Sequence, residues 1–180
     1  MQSVFPSAEA LAAVKKFGAV EGGRQTLARL AGHLPHLADG SADDAMVLTR
    51  LFDAPPAMVF AAWSSADMVS KWWGPKGFTT PVCELDFRPG GAYRMAMRGP
   101  DGKEYPFHGR YLEIVPNERI VFDALIEHIN HETIIKVTFV EDGGQTRVTI
   151  WQQVAPGDAG SGQTEGWSGQ LGKLADLLEA

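Results

Sequence analysis

The sequence predicts an α+β fold in which a curved antiparallel sheet is covered by one long C-terminal helix, with an extra helical segment at the N-terminus. Three observations lead there. From about residue 45 onward, apolar residues recur with a period of two in short segments divided by turn residues, which is the signature of half-buried strands. The stretch from Glu165 to Leu178 then switches to helical spacing, with Leu171, Leu174, Ala175 and Leu178 on one stripe and Trp167 one turn earlier. Finally, Leu27, Leu30, Ala31 and Leu34 repeat that stripe at a constant offset near the other end.

At 180 residues the chain suits one domain with an appendage, and 44% hydrophobic residues suffice for one ordinary core. A net charge of −6, with Lys and Arg scattered, argues against a nucleic-acid surface, which needs clustered cations. A single cysteine, Cys83, excludes an internal disulfide. No run approaches the ~18 uninterrupted apolar residues of a membrane span, and the first residues lack the pattern of a secretory leader. A cytoplasmic protein without membrane or nucleic-acid partners is expected.

Residues 1–37 have a helical pattern. Ser7 can cap a helix from Ala8 to Lys16 that stops at Gly18, and a second helix runs from about Gly22 to Leu34. His33 and His36 have metal-like spacing, but cations at a helix C-terminus are explained by the helix dipole. Residues 38–44 are small and polar and mark a linker, with the main domain at 45–180. Met46 to Phe52 reads as a first strand. Pro56 then opens a short helix through Trp63, because the N–H it lacks would be unpaired there anyway. A second short helix, Ala66 to Trp73, stops at Gly74-Pro75.

Turn residues at Pro89-Gly90-Gly91, Pro100-Asp101-Gly102, Pro116-Asn117-Glu118 and Glu141-Asp142-Gly143-Gly144 separate strands near 82–88, 91–99, 104–115, 119–127, 132–140 and 145–153. A fifth turn falls at Glu127 to His131. Connections this short require antiparallel pairing, since a parallel crossover needs about a dozen residues or more.

The strands have one apolar face. Tyr93, Met95 and Met97 alternate with Arg94, Ala96 and Arg98, and Ile120, Phe122, Ala124 and Ile126 form another apolar row. Between such a face and one long helix there is room for filled core or for a ligand, and methionine suits either. In 104–115, Tyr105, Phe107 and Tyr111 share one face and His108, Arg110 and Leu112 the other. Alternation alone does not choose which looks inward.

Six segments in order, Leu48-Thr49-Arg50-Leu51-Phe52-Asp53-Ala54-Pro55, Val59-Phe60-Ala61-Ala62-Trp63, Lys71-Trp72-Trp73-Gly74-Pro75, Asp86-Phe87-Arg88-Pro89-Gly90-Gly91, His108 to Pro116 and Glu165-Gly166-Trp167, resemble the bacterial activator-of-Hsp90-ATPase-like proteins of the START-like, or SRPBCC, superfamily. The resemblance covers about residues 45–180. It implies a helix-grip (Bet v 1-like) fold with a deep apolar cavity between sheet and terminal helix, and it implies no shared catalytic motif. Phe5 to Ala10 and Phe17 to Gly23 also resemble the approach to such a terminal helix, with Gly23 where Trp167 stands. Burial of the three leucines of that N-terminal stripe would contribute about 1.5–3 kcal/mol each. The stripe is therefore expected to dock on its own domain or on a second subunit, making a homodimer.

The residues expected to line a ligand site are Trp73, Tyr93, Met95, Met97, Phe107, Phe122, Trp167 and Leu171. His108 and Glu113 are the ionisable groups to consider for chemistry, if they face inward. Glu127-His128-Ile129-Asn130-His131-Glu132 gathers possible metal ligands, but not at the helical spacing of zinc hydrolases, and reads as a solvated hairpin tip. Asp86 and Arg88 read as an ion pair that pins a turn, and Cys83 has no activating neighbour. No phosphate loop or nucleophile elbow is found, and no metal or cofactor is expected. The leading expectation is a non-catalytic protein that binds a small apolar or amphipathic molecule. The alternatives are a cyclase- or aromatase-like enzyme using the same cavity and, last, a co-chaperone of an Hsp90-type ATPase.

Overall fold

The computed structural model describes residues 45–154 and 161–179. The N-terminal helices, the pair His33 and His36, the linker and the homodimer expected of that segment lie outside the described residues.

Seven strands form one antiparallel sheet: β1 (Ala45–Phe52), β2 (Thr79–Leu85), β3 (Ala92–Arg98), β4 (Glu104–Val115), β5 (Arg119–Ile126), β6 (His131–Asp142) and β7 (Gln145–Gln153). Their order is β1-β7-β6-β5-β4-β3-β2, so β1 and β2 are the two edges. Two short helices, α1 (Pro56–Ala61) and α2 (Ala66–Trp72), join one edge strand to the other. From β2 the chain meanders back strand by strand until β7 pairs with β1, and α3 (Ser161–Leu178) follows.

Each short connection has a local cause. Pro56 stands in the first turn of α1, and the Ser65 hydroxyl caps α2 by accepting from the Met68 N–H at 3.3 Å. The β5–β6 link is a 3-10 turn, Glu127–Ile129, closed by Asn130 in the left-handed region at φ 48°, which asparagine tolerates better than most residues. Gly109 lies where a Cβ would run into the Asp123 carbonyl oxygen, so β4 and β5 approach this closely only without a side chain.

Several boundaries differ by a few residues from the sequence expectation, and β2 is displaced at both ends. β2 runs over Thr79–Leu85, not 82–88. Asp86 N–H makes a last bond to the Ala92 carbonyl at 2.9 Å, and beyond it the backbone closes the following turn, with Arg88 N–H donating to the Asp86 carbonyl at 2.8 Å and Gly91 N–H to that of Arg88 at 2.8 Å. The Arg88 and Asp86 side chains pair at 2.8 Å beside it. At its other end β2 reaches Thr79 across an irregular register between Thr79 and Val82, where Pro81 has no N–H to give the ladder.

The apolar strand faces meet α3 and the two short helices. Ile120, Phe122 and Ala124 of β5 stand beside Val137 and Ile135 of β6 and Val148 and Ile150 of β7, all buried. Leu171 and Leu174 of α3 are fully buried in the same core. Each such side chain contributes about 1.5–3 kcal/mol by leaving water. Among the described residues no helix is long and apolar enough to cross a membrane.

Candidate functional site

The site is built around two consecutive tryptophans. α2 ends at Trp72, and Trp73 takes an extended conformation at φ −63° and ψ 143°. The break in helical geometry turns both rings inward, where a continuing helix would splay them by about 100°. Trp72 is fully buried and its indole N–H donates to the Ala62 carbonyl at 2.9 Å. Trp73 is buried as well, but its indole N–H has no partner among the described residues.

Trp63, Trp72, Trp73 and Trp167 form one cluster, with ring centroids of contacting pairs 4.6 to 6.2 Å apart. Trp73 also stacks on Phe107 of β4 at 5.5 Å and 20°. The loop after Trp73 is tied to α3 by Lys173, whose ammonium donates to the carbonyls of Trp73, Gly74 and Phe78 at 3.2, 3.3 and 3.2 Å. Burial lowers the Lys173 pKa from its ordinary value.

These rings divide the space between sheet and helix. On the deep side only about 10 Å³ is left among Trp63, Trp73, Phe87, Tyr93, Met95 and Phe122, room for about one water. On the other side lies a space of about 450 Å³. Phe107, Ala124, Ile126 and Ile135 line it from the sheet, Gly162, Gln163, Gly166, Trp167 and Gln170 from α3, and Trp73, Pro75 and Phe78 from the loop after α2. Tyr105 and His128, whose rings meet edge to face at 5.1 Å, line its far end with Ile129, which is 56% exposed.

The walls are apolar with a few fixed polar groups. Gln152, an inward residue of β7, is 3% exposed and accepts the Trp167 indole N–H at 2.6 Å. Three lining residues carry a buried polar atom without a hydrogen-bond partner among the described residues: the indole nitrogen of Trp73 and the amide oxygens of Gln163 and Gln170. Leaving such an atom unpaired costs about 1–3 kcal/mol. No Asp, Glu, Lys or Arg is among the described lining residues.

Of the residues expected to form a ligand site, Trp73, Met97, Phe107 and Trp167 line the larger space. Tyr93, Met95 and Phe122 stand on the deep side, in packed core, and Leu171 is fully buried core lining neither space. Burial pushes the Tyr93 and Tyr111 phenols above their ordinary pKa, so both remain neutral; Tyr93 O–H donates to the Asp123 carbonyl at 2.7 Å. Phe107 and Tyr111 mark the inward face of β4.

His108 therefore points outward, with a side chain 48% exposed and paired with Glu127 at 3.1 Å. Glu113 is likewise outside the space, bonded to Arg119 through both carboxylate oxygens at 2.8 Å. The turn at 127–132 is used otherwise than as a ligand cluster: Glu127 holds His108 and His128 meets Tyr105. Among the described residues no three His, Cys, Asp or Glu side chains gather where they could hold a metal ion. Cys83 is half-buried and its thiol is pushed up to about 11 by burial.

The glutamines and glycines of the site were not singled out from sequence. Gln170 stands three residues after Trp167, on the apolar stripe, and Gln152 follows Val148 and Ile150 at the inward period of β7. A polar residue on an apolar face was the available signal.

A search among curated proteins finds no match. Solved structures do match. A Chromobacterium violaceum protein is 32% identical over 76% of this chain and 99% of its own, with a TM-score of 0.70. A Mycobacterium smegmatis protein is 26% identical over 76% of this chain and 91% of its own, with a TM-score of 0.67. The AHSA1 protein of Silicibacter pomeroyi is 26% identical over 75% of this chain and 97% of its own, with a TM-score of 0.65. Residues 53–179 match the family model described as activator of Hsp90 ATPase homolog 1-like protein. With the helix-grip fold in place and the match spanning β2 to β7 and all three described helices, the chain belongs to the activator of Hsp90 ATPase homolog 1-like family.

Proposed function

We propose that this protein binds a small apolar or amphipathic molecule in the space between β4–β6 and the N-terminal half of α3. The observation that carries the reading is the 450 Å³ space, walled by aromatic and aliphatic side chains and bordered by three buried polar atoms that have no partner among the described residues. A volume in the usual range for ligand pockets, apolar walls and a few fixed polar groups are the ordinary attributes of a small-molecule site. A ligand with a hydrogen-bond acceptor for Trp73 and a donor for Gln163 or Gln170 would relieve what the fold leaves unpaired.

Binding without catalysis is favoured over a cyclase-like reaction by where the two groups considered for chemistry stand, and the one imidazole on the lining, His128, is at the exposed end against Tyr105. His108 and Glu113 are both half-exposed, each held by a partner outside the lined space. Fluorescence titration of the full chain with the uncharged probe N-phenyl-1-naphthylamine tests the reading. Saturable binding at one site per chain, lost in Phe107→Glu because a carboxylate would stand unpaired in an apolar wall, is expected. A probe that stays dark with the folded protein would remove the reading.

A further inference from the structure

The helix wall of the space is unusually bare. α3 has glycine at 162, 166, 169 and 172, although glycine is the poorest helix former after proline. Two of these have a neighbour that accounts for them: a Cβ at Gly169 would touch Pro75 and the Lys76 nitrogen at 3.4 and 3.5 Å, and one at Gly172 would lie 3.8 Å from the Arg50 guanidinium. Gly162 and Gly166, one turn apart, both line the 450 Å³ space, and a Cβ at either would meet nothing within 4 Å. At Gly166, which is half-buried, no group among the described residues explains the missing side chain.

The second observation concerns charge. The groups offered to a ligand by the buried walls are the Trp73 indole N–H and the Gln163 and Gln170 amides; no Lys or Arg is among the described lining residues to meet an anion, and the one lining imidazole, His128, is exposed at the far end. A carboxylate placed there would lose its water without gaining a countercharge.

We propose that Gly166 is the specificity-determining residue of this site, keeping open a slot against bare helix backbone, and that the slot takes an uncharged ring-bearing molecule and rejects its carboxylate analogue. This inference rests on the binding reading above. The ring lies between the α3 backbone at Gly166 and the aromatic wall of Trp73 and Phe107, where Trp73 is already stacked on Phe107.

The test uses N-phenyl-1-naphthylamine as probe, 2-naphthol and 2-naphthoate as competitors at pH 7, and the full chain as Gly166→Leu, Gly166→Ala and Gly172→Ala. Gly166→Leu is expected to weaken the probe by about tenfold or more, as overpacking of a filled slot does. Gly166→Ala is expected to show a smaller loss of the same sign. Both alanine variants should melt about 3 °C higher, because alanine favours helix over glycine, while Gly172→Ala keeps full affinity. 2-Naphthol should displace the probe at a concentration about tenfold lower than 2-naphthoate. Unchanged affinity in both Gly166 variants, or equal competition by the two naphthalenes, overturns the inference while leaving the binding reading intact. A probe that fails to bind the unaltered protein removes both.

Discussion

Gln152 shows how one polar side chain is fitted into an apolar sheet face. It sits at the inward period of β7 and is satisfied by the Trp167 indole at 2.6 Å. Gln152→Leu keeps the volume but leaves that N–H unpaired, and a loss of about 1–3 kcal/mol in urea denaturation is expected. Glu113 behaves differently because it is half-exposed. Its carboxyl is held below the ordinary range, first by the hydrogen bonds from Arg119. A lowered folded pKa means that this pair stabilises the fold above the unfolded carboxylate pKa of about 4.3 and that the contribution is lost as pH falls through the folded value. Solvent screening holds the effect to well under about 1 kcal/mol. Glu113→Gln should therefore flatten the acid limb of the stability profile only slightly and leave probe binding at pH 7 unchanged. At Cys83 the half-buried thiol, pushed up to about 11, should react with iodoacetamide at pH 8 at least about tenfold more slowly than a free cysteine.

At the scale of elements, α3 has two halves with different tasks. Its C-terminal half presents Leu171 and Leu174 to the core, and its N-terminal half presents glycines and glutamines to the larger space. Lys173, in the C-terminal half, holds the loop that carries Trp73 through three carbonyls. Lys173→Met should cost about 1–3 kcal/mol and weaken probe binding too, since it frees the loop that positions the Trp73 wall. The strands were legible because turn residues and alternation mark them, and the stripe of α3 was legible for the same periodic reason. The inward face of β4 was not, since Tyr105, Phe107 and Tyr111 oppose a face containing Leu112 and the long stem of Arg110. The height of the open space along the strands was also hidden. Alternation says which face a residue takes, but whether Tyr93, Met95 and Phe122 border a gap depends on the volume of Trp63, Trp73 and Phe87, which fill the deep end from elsewhere in the chain.

For the whole molecule, a sheet that curls around one helix leaves a wedge that side chains close at one end and not at the other. A ligand in the open end would stabilise the fold by mass action, about 2.7 kcal/mol at a hundred times its dissociation constant. The five tryptophans offer a direct reading of that event, because four form the cluster behind the site while Trp151 is on β7 at the opposite face, with Lys136 above its ring at 5.9 Å. The deciding measurement is a ¹H–¹⁵N spectrum of the indole N–H groups of the full chain, titrated with N-phenyl-1-naphthylamine. The expected result is a saturable shift of the Trp73 resonance and a smaller one of Trp167, with Trp151 unmoved. Shifts confined to Trp151, or none in any indole at saturating probe, would contradict a ligand site between the sheet and its terminal helix.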